Sequence, residues 1–315
     1  MNSIRFAQFT VTFVAQVDME LPTNKCPLFY SGFGCQIINV FCDQKKHVTP
    51  EIPHTCLYDS LFRGKVQTLD DIHVPPYAVQ CDNTETNLKK GQRLEFIFIT
   101  AYIKNFWPKL LLIWKKMAER GIGGSENENT FKLTRVRLNN PFTEQSKIIA
   151  TNKEYTESLP DSLLITEEHI ISRAKDLGDK TKVKIQFITP WQIRIRDTSD
   201  TNQHIRALCP SFSDLIDGLV HRAEHFALGW GNQKFEWAAE KLPQLAEGLD
   251  STDNLHWIRN TFGPRKDKQR SGVIGDMIIT GPNIKPFLPL LIFGELIHVG
   301  RSATSGHGRI KLSEI

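Results

Sequence analysis

The chain has 315 residues, of which 40% are hydrophobic and 23% are charged, and its net charge at pH 7 is +4. This composition excludes a disordered chain, and the length suffices for two domains that each bury a core. No apolar run approaches the roughly 20 residues of a membrane-spanning helix, so a membrane protein is not expected.

The cysteines and the first segment predict a cytoplasmic protein. The first segment alternates apolar and polar residues like a strand, which is not the pattern of a signal peptide. No C-x-x-C pair occurs, and we expect reduced thiols. The six cysteines are Cys26, Cys35, Cys42, Cys56, Cys81 and Cys209.

The first half of the chain predicts a β-α-β-β-α-β order. Alternation at 9–17 predicts a strand, and Ile37, Ile38 and Phe41 have the spacing of a helix. Further strands are predicted at 77–81, 93–101 and 131–138, with a helix at 106–120. We therefore predict a ferredoxin-like domain over residues 1–145.

The second half predicts the same order again. Residues 146–180 are polar and acidic in the middle, and they are predicted to be a linker, with one strand as an open alternative. Residues 181–315 form the second predicted domain, in which Pro190 marks a bulge or bend between two strand segments. A helix at 212–228, a hairpin of 255–262 with 273–280, a helix at 286–299 and a final strand complete it. The predicted fold class is α+β, two tandem ferredoxin-like (RRM-like) domains.

A glycine-rich loop between the last helix and the last strand is the most informative motif. It reads Gly300-Arg-Ser-Ala-Thr-Ser-Gly-His-Gly-Arg309 and contains no acid. Glycines let a backbone approach a ligand and expose consecutive amides, and hydroxyl and guanidinium groups add donors for phosphate oxygens. A tight turn whose glycines only permit positive φ is the alternative. The glycines follow a helix and precede a strand, which is the reverse of a Rossmann fingerprint.

This loop and the run before it, Phe-Leu-Pro-Leu-Leu-Ile-Phe-Gly-Glu-Leu-Ile-His-Val, resemble the C-terminal signature of the CRISPR repeat-RNA processing endoribonucleases of the RAMP superfamily. Met117-Ala-Glu-Arg-Gly-Ile-Gly-Gly is similar to the N-terminal domain of that family. The resemblance implies tandem ferredoxin-like domains and precursor CRISPR RNA (pre-crRNA) as the substrate. Other proteins of CRISPR effector complexes are further partners that it suggests.

Two segments of the second domain are candidate RNA contacts. In a β-α-β-β-α-β topology the hairpin and the final strand share one sheet, so both segments can line one phosphate-binding groove. A solvated charged hairpin is the alternative. The hairpin candidates are Arg259, Arg265, Lys266, Lys268 and Arg270. The loop candidates are Gly300, Arg301, Ser302, Thr304, Ser305, Gly306, His307, Gly308 and Arg309.

Two histidines near this loop allow several interpretations. His307 could stack on a base, contact phosphate, take part in cleavage or simply be a turn residue. His298 is interpreted as a structural residue at the helix end.

RNA cleavage needs proton transfer but no cofactor and no metal, because RNA contains its own nucleophile. A base removes the proton of the 2′-hydroxyl, the oxygen attacks the adjacent phosphorus, and an acid protonates the departing 5′-oxygen. The family resemblance implies a catalytic histidine shortly after the first helix, where His47 lies beside Lys46. Tyr30 at the start of that helix and His54 are the further catalytic candidates, and an ordinary surface histidine is the alternative at His47.

Three other interpretations are weaker. Cys42, His47, His54 and Cys56 could form a Cys2His2 zinc site, but their spacing is not that of a standard finger. The segment His221-Arg-Ala-Glu-His225 matches the H-x-x-E-H motif of zinc peptidases, yet no third ligand is identifiable. The alternative function from another class is a noncatalytic RAMP-type subunit that holds mature guide RNA in an interference complex.

Overall fold

The structure is a computed structural model that describes most of the chain. The described residues are 4–41, 61, 75–103, 106–123, 128–178, 181–192, 194–196, 204–206, 210–230, 234–261, 269–281 and 283–315. Within these ranges, side chains are not described at 194–196, 204–206, 259–261 and 269–270. The chain divides between Ile165 and Thr166 into two compact units.

The N-terminal unit is built around one antiparallel sheet of five strands in the order β3-β5-β1-β6-β7. Two short strands, β2 and β4, pair with each other outside this sheet. The strands of the N-terminal unit are β1 (Phe6–Ala15), β2 (Met19–Glu20), β3 (Tyr77–Gln80), β4 (Asn87–Leu88), β5 (Arg93–Ala101), β6 (Phe131–Asn140) and β7 (Gln145–Thr151). The helices of this unit are α1 (Cys26–Phe41) and α2 (Trp107–Arg120). Apart from the additions β2, β4 and β7, the chain order is the predicted β-α-β-β-α-β.

Alternation along β1 determines which face of this sheet is buried. Phe9, Val11 and Phe13 are at most 1% exposed, because successive side chains of a strand point to opposite faces. The Phe9 ring stacks on Trp107 with centroids 5.4 Å apart and meets Trp114 edge-on at 5.5 Å. Both tryptophans belong to the buried side of α2, so the helix and the sheet share one aromatic core.

The C-terminal unit repeats this architecture with the antiparallel sheet β11-β12-β8-β13. Strands β9 and β10 form a separate hairpin. The strands are β8 (Lys182–Trp191), β9 (Arg194–Arg196), β10 (His204–Arg206), β11 (Asp250–Thr261), β12 (Gln269–Thr280) and β13 (Ile310–Glu314), and the helices are α3 (Glu167–Leu177), α4 (Phe212–Trp230), α5 (Leu242–Ala246) and α6 (Leu288–Ile297). The prediction of two ferredoxin-like units is therefore confirmed. Among the helices described, none is both long and apolar enough to cross a bilayer.

The structure differs from the predicted linker at 146–180. β7 joins the first sheet, and α3 belongs to the second unit, so the two units divide at 165/166 and extend beyond the predicted domains 1–145 and 181–315. A capping box of Thr166 and His169 begins α3. Its only buried residues are Ile170 and Ala174, and so short an apolar stripe among acidic residues resembles a linker in sequence.

An ion pair attaches α3 to α6. Arg173 Nη1 lies 2.6 Å from Glu295 Oε2, and Glu295 Oε1 accepts the main-chain N–H of Leu312 in β13 at 2.8 Å. Burial raises the pKa of the Glu295 carboxyl, whereas Arg173 and the Leu312 amide lower it. One buried carboxylate therefore links two helices and an edge strand.

We expect Arg173→Ala to lower the free energy of unfolding by about 1–3 kcal/mol, because it leaves the buried Glu295 carboxylate without its cation. Equilibrium urea unfolding measures this loss. Glu240→Ala is the control, since Glu240 pairs with Lys234 while 77% of its side chain is exposed, and we expect a change within about 0.5 kcal/mol. Equal effects of the two variants would contradict the role of the pair.

Candidate nucleic-acid interface

The glycine loop, residues Gly300–Arg309, covers the C-terminal end of β8. Gly308 N donates to Pro190 O at 2.9 Å, and Arg301 N donates to Gln192 O at 2.8 Å. Arg309 N donates to the Thr189 hydroxyl at 2.9 Å. The loop is thus held at both of its ends on the last residues of one central strand.

The β11–β12 hairpin extends from the same end of the sheet. β12 pairs with β8 so that Val273 lies opposite Trp191, and the hairpin continues beyond this pair to Gln269 opposite Thr261. On the other side of β8, Ile310 of β13 lies opposite Phe187. The structure therefore brings the distal end of the hairpin and the glycine loop to one end of one sheet.

The basic candidates of the hairpin are only partly visible. Arg259 and Arg270 occupy strand positions near its distal end, and their side chains are not described. Arg265, Lys266 and Lys268 lie outside the described residues. Their contact with RNA stays a prediction.

Two glycines of the loop are required by close main-chain approach. Gly308 has φ +62°, and a Cβ there would lie 1.8 Å from Val299 O. Gly300 has φ +78°, and a Cβ there would lie 2.6 Å from Gln192 O and 2.7 Å from Trp191 Cδ1. A side chain at either position would clash with these atoms and displace the loop from the end of β8.

The loop uses its own amides. Ser305 N and His307 N both donate to Ser302 O, at 3.0 and 3.3 Å, and Gly306 N donates to Ala303 O at 3.0 Å. With the bonds to β8, the amides of residues 301 and 305–309 are all donated within the unit. The expectation that consecutive amides are exposed for phosphate is therefore wrong for these residues, because the turn consumes them.

Burial divides the side chains of the loop into two groups. Thr304, Ser305 and His307 are at most 8% exposed. Arg301 is exposed, and Ser302 and Arg309 are half-buried. The burial of His307 favours its interpretation as a structural residue, and the donors that solvent reaches are concentrated on Arg301, Ser302 and Arg309.

His298 joins the end of α6 to the middle of the loop. It is the C-cap of the helix, with φ +63°, and its amide still bonds to Gly294 O at 2.8 Å, which ends the helix earlier than the predicted Val299. Its Nδ1 lies 3.1 Å from Ala303 O, so Nδ1 carries the proton and donates. Burial, with the nearby charges of Arg309 and Arg222, lowers the pKa of His298 to about 3. The imidazole is therefore neutral at neutral pH.

A buried cation lies directly before the loop. Arg222 of α4 is 8% exposed, and its Nε donates to Ile297 O at 3.0 Å. Its guanidinium lies 5.7 Å from the centre of the Phe226 ring. Within the described residues it has no carboxylate partner, and burial lowers the pKa of its guanidinium to about 9. Burying such a charge costs free energy. Because no carboxylate among the described residues offsets it, Arg222 adds positive charge beside the loop.

The sequence analysis missed Arg222 although a signal was present. Residues 215, 219, 222 and 226 follow helical spacing, and Arg222 is the one charged member of this otherwise apolar stripe.

The helix α4 begins at a capping box in which Asp214 N donates to Ser211 Oγ and Ser211 N donates to Asp214 Oδ2.

The predicted catalytic residues are not brought together by the described part of the chain. Tyr30 lies on α1, half-buried, with its ring centroid 6.3 Å from that of Tyr77. Lys46, His47 and His54 lie outside the described residues. Their roles stay predictions.

The two metal alternatives have different outcomes. Cys42 and Cys56 lie outside the described residues together with the two histidines of that proposed site. His221 and His225 are present on α4, but no cluster of three metal-ligating side chains occurs in the part of the chain that is described. The geometry of a zinc peptidase is thus not found there.

We expect His298→Asn to weaken the pH dependence of stability. The pKa of His298 rises from about 3 in the folded chain to about 6.5 on unfolding, so the unfolded state binds the extra proton and stability falls as pH drops below about 6.5. Asparagine keeps a donor near Nδ1, but it does not titrate.

Urea unfolding at about pH 7.5 and about pH 5 measures this difference. The wild type should lose about 2 kcal/mol more than the variant between the two values. Equal losses would mean that His298 is protonated in the folded chain.

Comparison with known proteins gives two family matches. The model of the CRISPR-associated endoribonuclease Cas6 matches residues 185–310, which contain most of β8, the hairpin, α6 and the glycine loop. The model of the AF_1859 N-terminal domain matches residues 4–161, half of the chain. No curated protein is significantly similar in sequence.

Solved structures share the fold over the whole chain. A partial Cas6-RT-Cas1–Cas2 complex aligns with all of this chain and 47% of its own, at 13% identity and a TM-score of 0.63. A Cas6 product complex aligns with 98% of this chain and 100% of its own, at 13% identity and a TM-score of 0.56. Thermus thermophilus Cas6 aligns with 99% of this chain and 100% of its own, at 12% identity and a TM-score of 0.54. The chain thus spans about half the length of the first of these proteins and the full length of the other two.

Proposed function

Because this chain belongs to the CRISPR-associated Cas6 endoribonucleases and has an AF_1859-type N-terminal domain, we propose that it binds CRISPR repeat RNA and cuts pre-crRNA once per repeat. One observation carries the proposal. The residues that match the endoribonuclease family include a glycine loop whose accessible donors, Arg301, Ser302 and Arg309, lie at the same end of the sheet as the β11–β12 hairpin.

Side chains, rather than main-chain amides, hold the RNA backbone at the loop in this proposal. Guanidinium groups suit phosphate because their fork of donors matches two oxygens. The buried charge of Arg222 adds a positive potential beside the loop without contacting RNA itself. The hairpin candidates Arg259, Arg265, Lys266, Lys268 and Arg270 are the further phosphate contacts of this proposal.

Cleavage proceeds by attack of the 2′-hydroxyl oxygen on the adjacent phosphorus. In this proposal His47 is a proton-transfer residue, as the base at the 2′-hydroxyl or the acid at the departing 5′-oxygen, and Tyr30 or His54 supports the proton transfer. Lys46 offsets the charge of the phosphorane. The P–O5′ bond breaks, which leaves a 2′,3′-cyclic phosphate and a 5′-hydroxyl. Since the nucleophile belongs to the substrate, the reaction requires no metal in this mechanism.

The family match favours this enzyme over the noncatalytic guide-holding subunit. Mature crRNA and other CRISPR proteins are further partners in the proposal, as the name of the Cas6-RT-Cas1–Cas2 complex indicates for that assembly. The reaction would take place in the cytoplasm, where reduced thiols are expected. Cys35 is a free thiol in the structure.

We expect Arg301→Gln to weaken RNA binding and to make it less salt-dependent. Loss of one phosphate contact should lower the slope of log K against log salt by about 0.7 to 0.9. Filter binding of the repeat RNA over a salt series measures the slope. Lys116→Gln is the control, because the Lys116 ammonium already lies 2.9 Å from the Glu119 carboxylate. An unchanged slope for Arg301→Gln would remove the loop from the RNA contact.

We expect wild-type protein to cleave the repeat RNA at a single site in excess EDTA, because no step needs a metal. His47→Ala should slow single-turnover cleavage by about 10²-fold or more while RNA binding is retained. The matched control is His221→Gln, an exposed histidine of the other unit.

The outcomes of this assay separate the candidates. A cyclic phosphate on the upstream product supports 2′-hydroxyl attack. Cleavage that survives His47→Ala transfers the catalytic role to His54 or Tyr30. Tight binding without any cleavage by the wild type contradicts the enzyme and favours the guide-holding subunit.

A further inference from the structure

Two histidines of α4 point their Nε2 atoms at each other. His221 Nε2 lies 3.0 Å from His225 Nε2, and the two rings are perpendicular at 88°. Residues four apart are neighbours on one helix face, and the backbone of α4 is fixed by the burial of its opposite side. The proposed RNA cleavage makes no use of this pair.

The ring positions are those of two converging ligands. The ring centroids are 4.2 Å apart, little more than the distance between the two nitrogens. A straight N–H···N hydrogen bond would place the rings end to end and add both ring radii to that distance. The two rings therefore form a wedge that narrows toward their Nε2 atoms.

The spacing of the two nitrogens fits a chelated metal ion. An ion about 2.0–2.1 Å from each nitrogen would subtend an N–metal–N angle of about 91–97°. This is close to the right angle of square-planar or tetragonal sites, which Cu²⁺ and Ni²⁺ prefer, and it is narrower than a tetrahedral angle. We propose that His221 and His225 form a two-histidine binding site for a divalent transition metal of this kind, with water completing its coordination.

The surroundings of the pair permit such an ion. His221 is exposed and His225 is half-buried, so solvent reaches the wedge. The ammonium of Lys234 lies 3.6 Å from the carboxylate of Glu224, which is on the same helix as the two histidines, and 3.2 Å from that of Glu240. These two carboxylates offset the positive charge of Lys234. Glu224, the acid of the H-x-x-E-H pattern, is thus engaged with a lysine, and the ion has two protein ligands and no peptidase geometry.

The site has a structural effect and no part in cleavage. Both imidazoles bind metal in the neutral form with the proton on Nδ1, so the proton of the Nε2–H···Nε2 hydrogen bond moves through solvent to Nδ1 of the same ring. A chelated ion joins two successive turns of α4 and stabilises the folded chain by mass action. EDTA would remove this ion without affecting the proposed RNA cleavage.

Titration of the full chain with NiCl₂ tests the site. Tag-free protein is freed of metal with EDTA, dialysed, and measured by isothermal calorimetry and by thermal unfolding with and without Ni²⁺. We expect one Ni²⁺ per chain and a higher unfolding midpoint in its presence. His221→Gln and His225→Gln should each weaken binding by about tenfold or more, because one ligand of the chelate is lost. His256→Gln, which replaces an exposed histidine of β11, should bind like the wild type.

Two results would overturn the proposal. Absence of Ni²⁺ binding by the wild type up to about 1 mM would show that the wedge has no useful affinity. Undiminished binding by both glutamine variants would place the ion elsewhere, for example at the exposed Cys35 thiol. RNA cleavage is not measured in this experiment, so its result does not depend on whether the chain has the proposed endoribonuclease activity.

Discussion

Two main-chain hydrogen bonds, from Gly308 N to Pro190 O and from Arg301 N to Gln192 O, determine where the glycine loop lies. They use the carbonyls of Pro190 in β8 and of Gln192 directly after it, and β8 is a central strand that already pairs with β12 and β13. Pro190 has no amide to donate, but its carbonyl remains free to accept. The position of the loop is therefore as rigid as the sheet, and the hairpin that leaves the same end is held in a constant relation to it.

This attachment changes how the loop can recognise phosphate. A glycine-rich loop usually suggests an anion cradle of main-chain amides. Here the amides of residues 301 and 305–309 are donated within the unit, and the glycines serve close approach at Gly300 and Gly308. The side chains that remain accessible carry the recognition in our proposal, which makes it electrostatic and sensitive to salt.

Buried polar groups beside the loop support the same arrangement. Arg222 donates to a carbonyl at the end of α6, where a cation also meets the negative end of the helix dipole. His298 remains neutral and donates across the loop to Ala303 O. Burying these two polar groups costs desolvation free energy. The hydrogen bonds offset that cost only while α4, α6 and the loop stay packed together.

Much of the architecture follows from local pattern. Alternation in β1, the apolar stripe of α2 and the repeated element order were sufficient for two ferredoxin-like units, because these periodicities reflect which face each element buries. The pattern failed for α3, whose stripe consists of two residues, and at the end of α6, where the helix stops at Ile297 before the predicted residue 299 because His298 adopts a positive φ.

The sequence by itself determined the fold class, the family resemblance and the identity of the glycine loop as the distinctive motif. Only the tertiary structure decided which donors of that loop reach solvent, and that Arg222 is buried with no carboxylate partner among the described residues. The physical reason is that burial and hydrogen-bond satisfaction depend on residues far apart in the chain, such as Gly308 and Pro190. Spacing along one element indicates which side chains share a face, as it does for Arg222 on α4, but it does not identify the hydrogen-bond partners that other elements supply.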